Sequence, residues 1–256
     1  MHDTAGAIGA AFLRQNSRSG HMIVELGAGD FNGTLRGHAA PGCGYIGTDI
    51  TIGRGVDVVV SQDLPFRDQF ADLVLASSVF EHDRFFWLTF LEMARILKPG
   101  GLIYINAPSN GGYHRYPIDS WRFYPDAGKA LEQWGRRSNV PITLVESFIA
   151  NRRADIWNDF VAIFQMDPVI AAPTFLSDQF ACNNVWKIGK SEPLGRRGMS
   201  EDMVLIAQLR LALNPPQEIP EIVRQREFVE DMRRTGCDSR AARRHLAEMI
   251  AKQGKC

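Results

Sequence analysis

The sequence lacks the features that would tie it to a membrane, a disulfide scaffold or a polyanion. Its four cysteines, Cys43, Cys182, Cys237 and Cys256, are scattered without a C-x-x-C pair. That pattern is neither a disulfide framework nor a cysteine zinc site, and it suits a reducing cytoplasm. No window approaches the roughly 18 apolar residues that a membrane span needs. The opening stretch, "MHDTAGAIGAAFLRQNSRSG", has no leading basic patch and no sustained apolar core. It reads as a short helix and a polar turn, not a secretion signal. An excess of one charge is missing too: 29 Lys and Arg balance 29 Asp and Glu, which argues against broad electrostatic binding to nucleic acid. The arginines between 221 and 256 are interleaved with acids and read as a solvated helix face. There is no G-x-x-x-x-G-K-[ST], so a P-loop is excluded. No H-x-x-x-H and no dense carboxylate cluster points to a metal, and none is expected.

What is present is an alternation of short apolar runs with helical patterns. The runs at 22–26, 44–50, 56–60, 71–77 and 102–108 lack polar alternation, and "RFFWLTFLEMARIL" (84–97) has apolar residues at helical spacing before "KPGG". Strands of that kind separated by helices indicate a parallel sheet covered on both faces. Two later runs, 142–149 and 159–165, read as a closing antiparallel hairpin. The expected fold class is α/β: a doubly wound, mostly parallel seven-stranded sheet with a helical C-terminal extension. Ligands of such sheets gather beyond the carboxyl ends of the strands. The expected division is residues 1–165 for the sheet domain and 166–256 for an extension that covers the active site or makes a homodimer contact through 203–213.

The stretch "VELGAGDFNGTLRG" (24–37) follows the first strand and carries Gly27, Gly29 and Gly33 as G-x-G-x-x-x-G. A dinucleotide fold places its third glycine one residue earlier, where this chain has Asn32. An acid, Glu25, precedes the glycines, and a second, Asp49, ends the next strand. At this point the residues resemble class I S-adenosylmethionine-dependent methyltransferases. "VELGAGDFNG" looks like the first motif of that family and "YIGTDI" like its second. "DLPFRDQFADLVLASSVFEH" with "EMARILKPGGLIYINAP" resembles the methyltransferase type 11 block. The four motifs run in order over 22–108.

The resemblance implies a Rossmann-like fold and S-adenosyl-L-methionine as cofactor, S-adenosyl-L-homocysteine being its product. Backbone N–H groups of Gly27, Ala28 and Gly29 would take the cofactor's carboxylate, and Glu25 would face its ammonium. Asp49 would accept the ribose hydroxyls, unless it serves only as a helix N-cap. Ile50 offers an apolar edge to the adenine, and Ser77 closes the pocket at the end of the fourth strand. Relatives often carry an acid four residues before "LPF"; here that place is Val60, so Gln62 and Asp63 are the adenine candidates, with Asp63 preferred.

Two segments are expected at the acceptor. "SSVFEHDRFFW" supplies Glu81, His82 and Asp83; the family likeness puts its "EH" near the cofactor's methionine end and the acceptor pocket, and His82 otherwise is a first-turn helix residue. "GGYHRYPIDSWRFYPD" lies in a long aromatic segment, 109–128, of a kind that is usually functional. It resembles an H-x-Y-P-x-D-x-W-R-F segment of some bacterial type 11-like methyltransferases. His114 is the candidate base, because an imidazole titrates near neutrality. Asp119 would orient it, and Tyr113, Tyr116, Trp121 and Arg122 would form the acceptor wall. The alternative is that the aromatics cap the core while Asp119 and Arg122 make a structural ion pair. The function expected is methyl transfer to an oxygen or nitrogen of a small molecule or glycan, in the cytoplasm, without nucleic acid or membrane. A scaffold protein that binds the cofactor without turnover, or a protein or nucleic-acid methyltransferase, stands as the alternative.

Overall fold

The computed structural model describes residues 3–31, 33–61, 63–169, 174–213, 220–234 and 240–253. Helix α1 (Asp3–Asn16) precedes strand β1 (Met22–Leu26), followed by β2 (Gly44–Asp49), β3 (Val58–Val59) and β4 (Ala71–Ser77). Helix α2 (Phe86–Ile96) leads directly into the long β5 (Leu97–Pro108). Then come α3 (Ala127–Arg137), β6 (Ile142–Ala150), β7 (Asp159–Met166) and β8 (Cys182–Lys187). The eight strands form one sheet in the order β3-β2-β1-β4-β5-β7-β6-β8. Strands β1 to β5 are mutually parallel, whereas β7 runs antiparallel to β5, and β6 antiparallel to both β7 and β8.

The α/β reading therefore holds, with one strand more than the seven expected from the sequence. The added strand, β8, pairs with β6 and carries Asn183 and Asn184 in its middle, which breaks the apolar run that would have marked it. The third strand is shorter than 56–60, and "KPGG" is not a helix terminator. It is the start of β5, where the pairing with β4 shifts register between Ala71 and Leu73. Gly101 permits that irregularity, because a Cβ there would lie 2.8 Å from the Asp72 carbonyl oxygen.

Side chains alternate across the sheet and give it two cores. Val24, Leu26, Ile103, Ile105 and Phe164 pack with Phe90, Met93 and Ala94 of α2 and Leu131 of α3. Ile23, Leu75, Tyr104 and Val161 pack with Ile8, Phe12 and Leu13 of α1 on the other face. The apolar residues 90, 93 and 94 recur at i, i+3 and i+4, which is why α2 forms and which face it buries. Arg95 of α2 pins the "LPFRD" turn by donating to the Leu64 and Phe66 carbonyls while pairing with Glu92 and Asp68.

The chain divides into two compact units, Met1–Asp202 and Met203–Cys256. The second holds most of α4 (Glu201–Leu213) with α5 (Pro220–Arg234) and α6 (Arg240–Gln253). Helices α5 and α6 pack on each other. Among the described residues, no helix is long and apolar enough to cross a membrane.

Candidate active site

The glycine motif sits where the sequence placed it, at the carboxyl end of β1. Gly27 has φ +67°, and a Cβ there would come within 2.4 Å of Val79 Cγ2, so only glycine fits. Ala28 N–H donates to the Thr48 carbonyl (3.0 Å) and Asp30 N–H to the Arg54 carbonyl (2.8 Å), anchoring the loop along β2 and its following turn. Gly29 N–H donates to Asp49 Oδ2 at 3.1 Å, and Thr51 N–H to Asp49 Oδ1 at 3.3 Å. A side chain on Gly29 would meet the Phe31 ring at 2.7 Å and the Asp49 carboxylate at 3.0 Å. Asp49 is thus tied to the glycine loop by the Gly29 N–H and to its own turn by the Thr51 N–H, and each oxygen keeps a lone pair for a further hydroxyl. Ile50 is exposed beside it, Asp63 is exposed in the turn before Leu64, and Gln62 lies outside the described residues.

Glu25 lies beneath the loop and is 6% exposed. It accepts the Tyr45 hydroxyl at 2.7 Å. Burial drives its carboxyl up to about 7, against the opposing pull of Tyr45 and the Arg36 charge. Arg36 lies over the Tyr45 ring (4.9 Å), donates to the Gly55 carbonyl and pairs with Asp57, whose carboxylate also takes the Gly47 N–H. Sequence reasoning found Glu25 but missed this supporting set. Arg36 and Asp57 carry no motif, and their meeting depends on the turn after β2.

At the carboxyl edge of β4 and β5 a group of polar atoms is buried without partners. Ser77 Oγ, Ser78 Oγ, both side-chain atoms of Asn106 and both carboxylate oxygens of Glu81 belong to it. Ser77 pairs in register with Asn106, and Ser78 N–H donates to the Asn106 carbonyl at 2.9 Å. Buried polar groups in a folded protein are nearly always satisfied by protein, water or ligand, so this cluster is a place suited to a polar ligand. Together with the glycine cradle, this edge fits a zwitterionic nucleoside such as the one the family resemblance implies.

The segment after β5 crosses above this edge. Ser120 N–H donates to the Glu81 carbonyl at 2.7 Å, and Phe123 N–H to the Pro108 carbonyl at 3.0 Å. Asp119, its side chain 2% exposed, is held by both terminal nitrogens of Arg122 (2.6 and 2.8 Å) and by the His114 N–H (2.7 Å). The Arg122 fork holds the Asp119 carboxyl down at about 2. His114 Nδ1 is 3.5 Å from Asp119 Oδ2, and its ring stands 5.0 Å from that of His82. His82 Nδ1 is hydrogen-bonded to the Ile118 carbonyl, and burial lowers the imidazole's pKa. Burial also pushes the Glu81 carboxyl up to about 8.

The expected acceptor residues therefore split. His82, His114, Asp119, Arg122 and Tyr116 come together, Tyr116 standing 6.5 Å from His82 and edge-on to Phe31 at 5.0 Å. Tyr113 and Tyr124 are largely exposed. Phe123 is buried and packs on Phe80, Phe86 and Phe160, so it belongs to the core. Trp121 is tied down through its Nε1–H to the Asp83 carbonyl (2.8 Å) and packs on Phe86 and Trp87. One residue was missed: Trp157, from the β6–β7 connection, stands 5.1 Å from His114 and close to Arg122.

Residues 53–105 match the type 11 family described as a methyltransferase domain. The chain is 14% identical to the 1,6-didemethyltoxoflavin-N1-methyltransferase of Burkholderia thailandensis, solved with S-adenosylhomocysteine bound. That match covers 64% of this chain and 79% of that one, with a TM-score of 0.52. The fold is that of the class I S-adenosylmethionine-dependent methyltransferases. Among curated proteins, the chain is 29% identical over 137 residues to the tRNA (carboxymethyluridine(34)-5-O)-methyltransferase of Arabidopsis thaliana, covering 49% of this chain and 32% of that protein. It is 33% identical over 120 residues to an uncharacterized methyltransferase of Mycobacterium tuberculosis, covering 41% and 46%. The chain thus spans less than half the length of the curated relatives it matches. In this methyltransferase fold the matched segment runs from the turn after β2 to β5, which is the part that frames the orphaned polar edge.

Proposed function

We propose that this protein is an S-adenosylmethionine-dependent methyltransferase acting on an oxygen or nitrogen of a small molecule or glycan. The observation that carries the reading is the Gly27–Ala28–Gly29 loop clasped to Asp49, facing a carboxyl edge with unpartnered Ser77, Ser78 and Asn106. The cofactor would supply an activated methyl on a sulfonium, a leaving group that needs no acid. With the Ala28 and Gly29 N–H groups taken by Thr48 and Asp49, Gly27 would meet its carboxylate, Asp49 its ribose hydroxyls, and Glu25 its ammonium from below.

The rest of the work is positioning the acceptor, which can supply several kcal/mol of barrier reduction. Arg122 keeps Asp119 ionised, and Asp119 keeps His114 turned toward the site, so that His114 can receive the acceptor's proton. The exposed faces of Tyr113 and Tyr116 suit a sugar ring or a planar metabolite. A balanced net charge and the sequence "SSVF" after β4 favour such an acceptor over a polyanion, although one relative is named for a tRNA.

Calorimetry with S-adenosylmethionine and S-adenosylhomocysteine, on the wild type and Asp49→Ala, tests the reading. Micromolar binding weakened at least tenfold by the substitution supports it. A folded wild type that binds neither compound overturns it.

A further inference from the structure

We propose that Glu81, His82 and His114 bind a divalent first-row transition-metal ion of the zinc, cobalt and nickel type. One donor atom from each lies within 4.8 Å of the others, although His114 comes from a segment far along the chain. Glu81 is 0% exposed and both its oxygens lack hydrogen-bond partners. A carboxyl in that condition either holds a proton or meets something positive. Its nearest basic atom is His82 Nε2, 3.7 Å from Oε1.

The surroundings prepare the imidazoles as ligands. His82 Nδ1 faces the Ile118 carbonyl, an acceptor only, so that nitrogen carries the proton and Nε2 presents its lone pair beside Glu81. His114 Nδ1 lies 3.5 Å from both Asp119 Oδ2 and the Gly112 carbonyl, two acceptors that favour the same tautomer. Ligating histidines are held in this way, by a carboxylate or carbonyl on the far nitrogen. Arg122 neutralises Asp119, so Glu81 is the carboxyl left to meet an ion, giving up its proton as it binds.

Two imidazoles and one carboxylate suit borderline ions and not magnesium or calcium, which prefer all-oxygen sites. Donors around such an ion stand about 3 to 3.4 Å apart, given bonds of about 2.1 Å. The present spacing is wider, and the residue that must approach, His114, sits on a segment without regular secondary structure. Three protein ligands leave positions open, as in catalytic and not structural sites. Its side chain is 36% exposed, against 15% for His82, so solvent reaches the cluster. If the methyltransferase reading holds, the open positions take the acceptor's oxygen or nitrogen, and His114 then serves as a ligand instead of a proton acceptor.

The test is equilibrium dialysis of chelator-stripped protein against Zn²⁺ and Co²⁺, with metal measured by mass spectrometry and the Co²⁺ spectrum recorded. The variants His114→Ala and Glu81→Gln are run beside it, and circular dichroism confirms that each is folded. We expect one equivalent per chain at micromolar affinity, a Co²⁺ spectrum without thiolate charge transfer, and at least tenfold weaker binding in both variants. Magnesium should not compete. Absence of stoichiometric binding overturns the proposal, and so does binding unchanged by His114→Ala, which would place the ion elsewhere. If Glu81→Gln does not fold, His114→Ala alone decides. Calorimetry with S-adenosylhomocysteine on the stripped protein separates the two ideas, since cofactor binding without metal binding would sink only this one.

Discussion

If Glu25 faces the ammonium of the bound cofactor, binding must release a proton near neutral pH. Glu25 is buried, the Tyr45 hydroxyl is its one hydrogen-bond donor among the described residues, and its pKa rises from 4.5 to about 7. An ammonium needs the carboxylate form. At pH 6 about ten in eleven of these side chains carry a proton, and at pH 7 about half do. The apparent Kd for S-adenosylhomocysteine should therefore tighten about fivefold from pH 6 to pH 7, and little further above pH 7.5, where the ligand's own amine begins to lose its charge. Calorimetry in two buffers of different ionisation enthalpy at each pH reads the protons released directly. Glu25→Gln should abolish both the slope and the release. A pH-independent Kd, or the same slope in Glu25→Gln, would refute the assignment of Glu25 to the ammonium.

The same shift has a consequence without ligand. The folded value lies above the unfolded one, so the stabilising contribution is complete below about pH 4.5 and is lost as pH rises through about 7. The shift corresponds to about 3 kcal/mol. Thermal unfolding of the wild type should fall between pH 5 and pH 8 by more than that of Glu25→Gln, and a saturating ligand should close the difference.

Two further perturbations probe the acceptor side. Arg122→Ala leaves the Asp119 carboxylate buried with only the His114 N–H, and should cost about 2–3 kcal/mol at pH 7, seen as a lowered midpoint in urea. Because the Asp119 pKa is depressed from 3.8 to about 2, that difference should be complete above about pH 4 and shrink as pH falls through about 2. An unchanged midpoint at pH 7 would show that the pair is not holding the segment. Gly111 has φ +97°, and a Cβ there would come within 2.0 Å of the Trp157 ring. Gly111→Ala should displace Trp157 and speed proteolysis within 111–126 while amide protection in β4 and β5 stays as in the wild type; equal cleavage rates would contradict this.

How much of the molecule was legible follows from what each element depends on. Strands β1 and β4 and the second half of β5 are mainly apolar runs because both faces are covered, and that composition is visible without coordinates. Strand β8 was invisible because Asn183 and Asn184 are buried in it through hydrogen bonds to Asn151, Gly195 and each other. Those partners come from elsewhere in the chain, and no local period reports them. The glycine-loop side of the candidate site was legible for a similar reason: Glu25, the glycines and Asp49 lie at strand ends whose spacing the parallel sheet fixes. The other side was not, because the segment from 109 to 126 has no period, and its residues acquire meaning only by contact. Asp119 and Arg122 could be paired from sequence, being three apart. The approach of His114 to Glu81 and His82 could not, because it depends on backbone bonds from Ser120 and Trp121 to the Glu81 carbonyl that fold the segment back over the sheet edge. Local spacing thus exposes what the sheet holds in place, whereas a cluster assembled by one segment crossing another leaves only its unpaired atoms as a trace, and those appear once the fold is known.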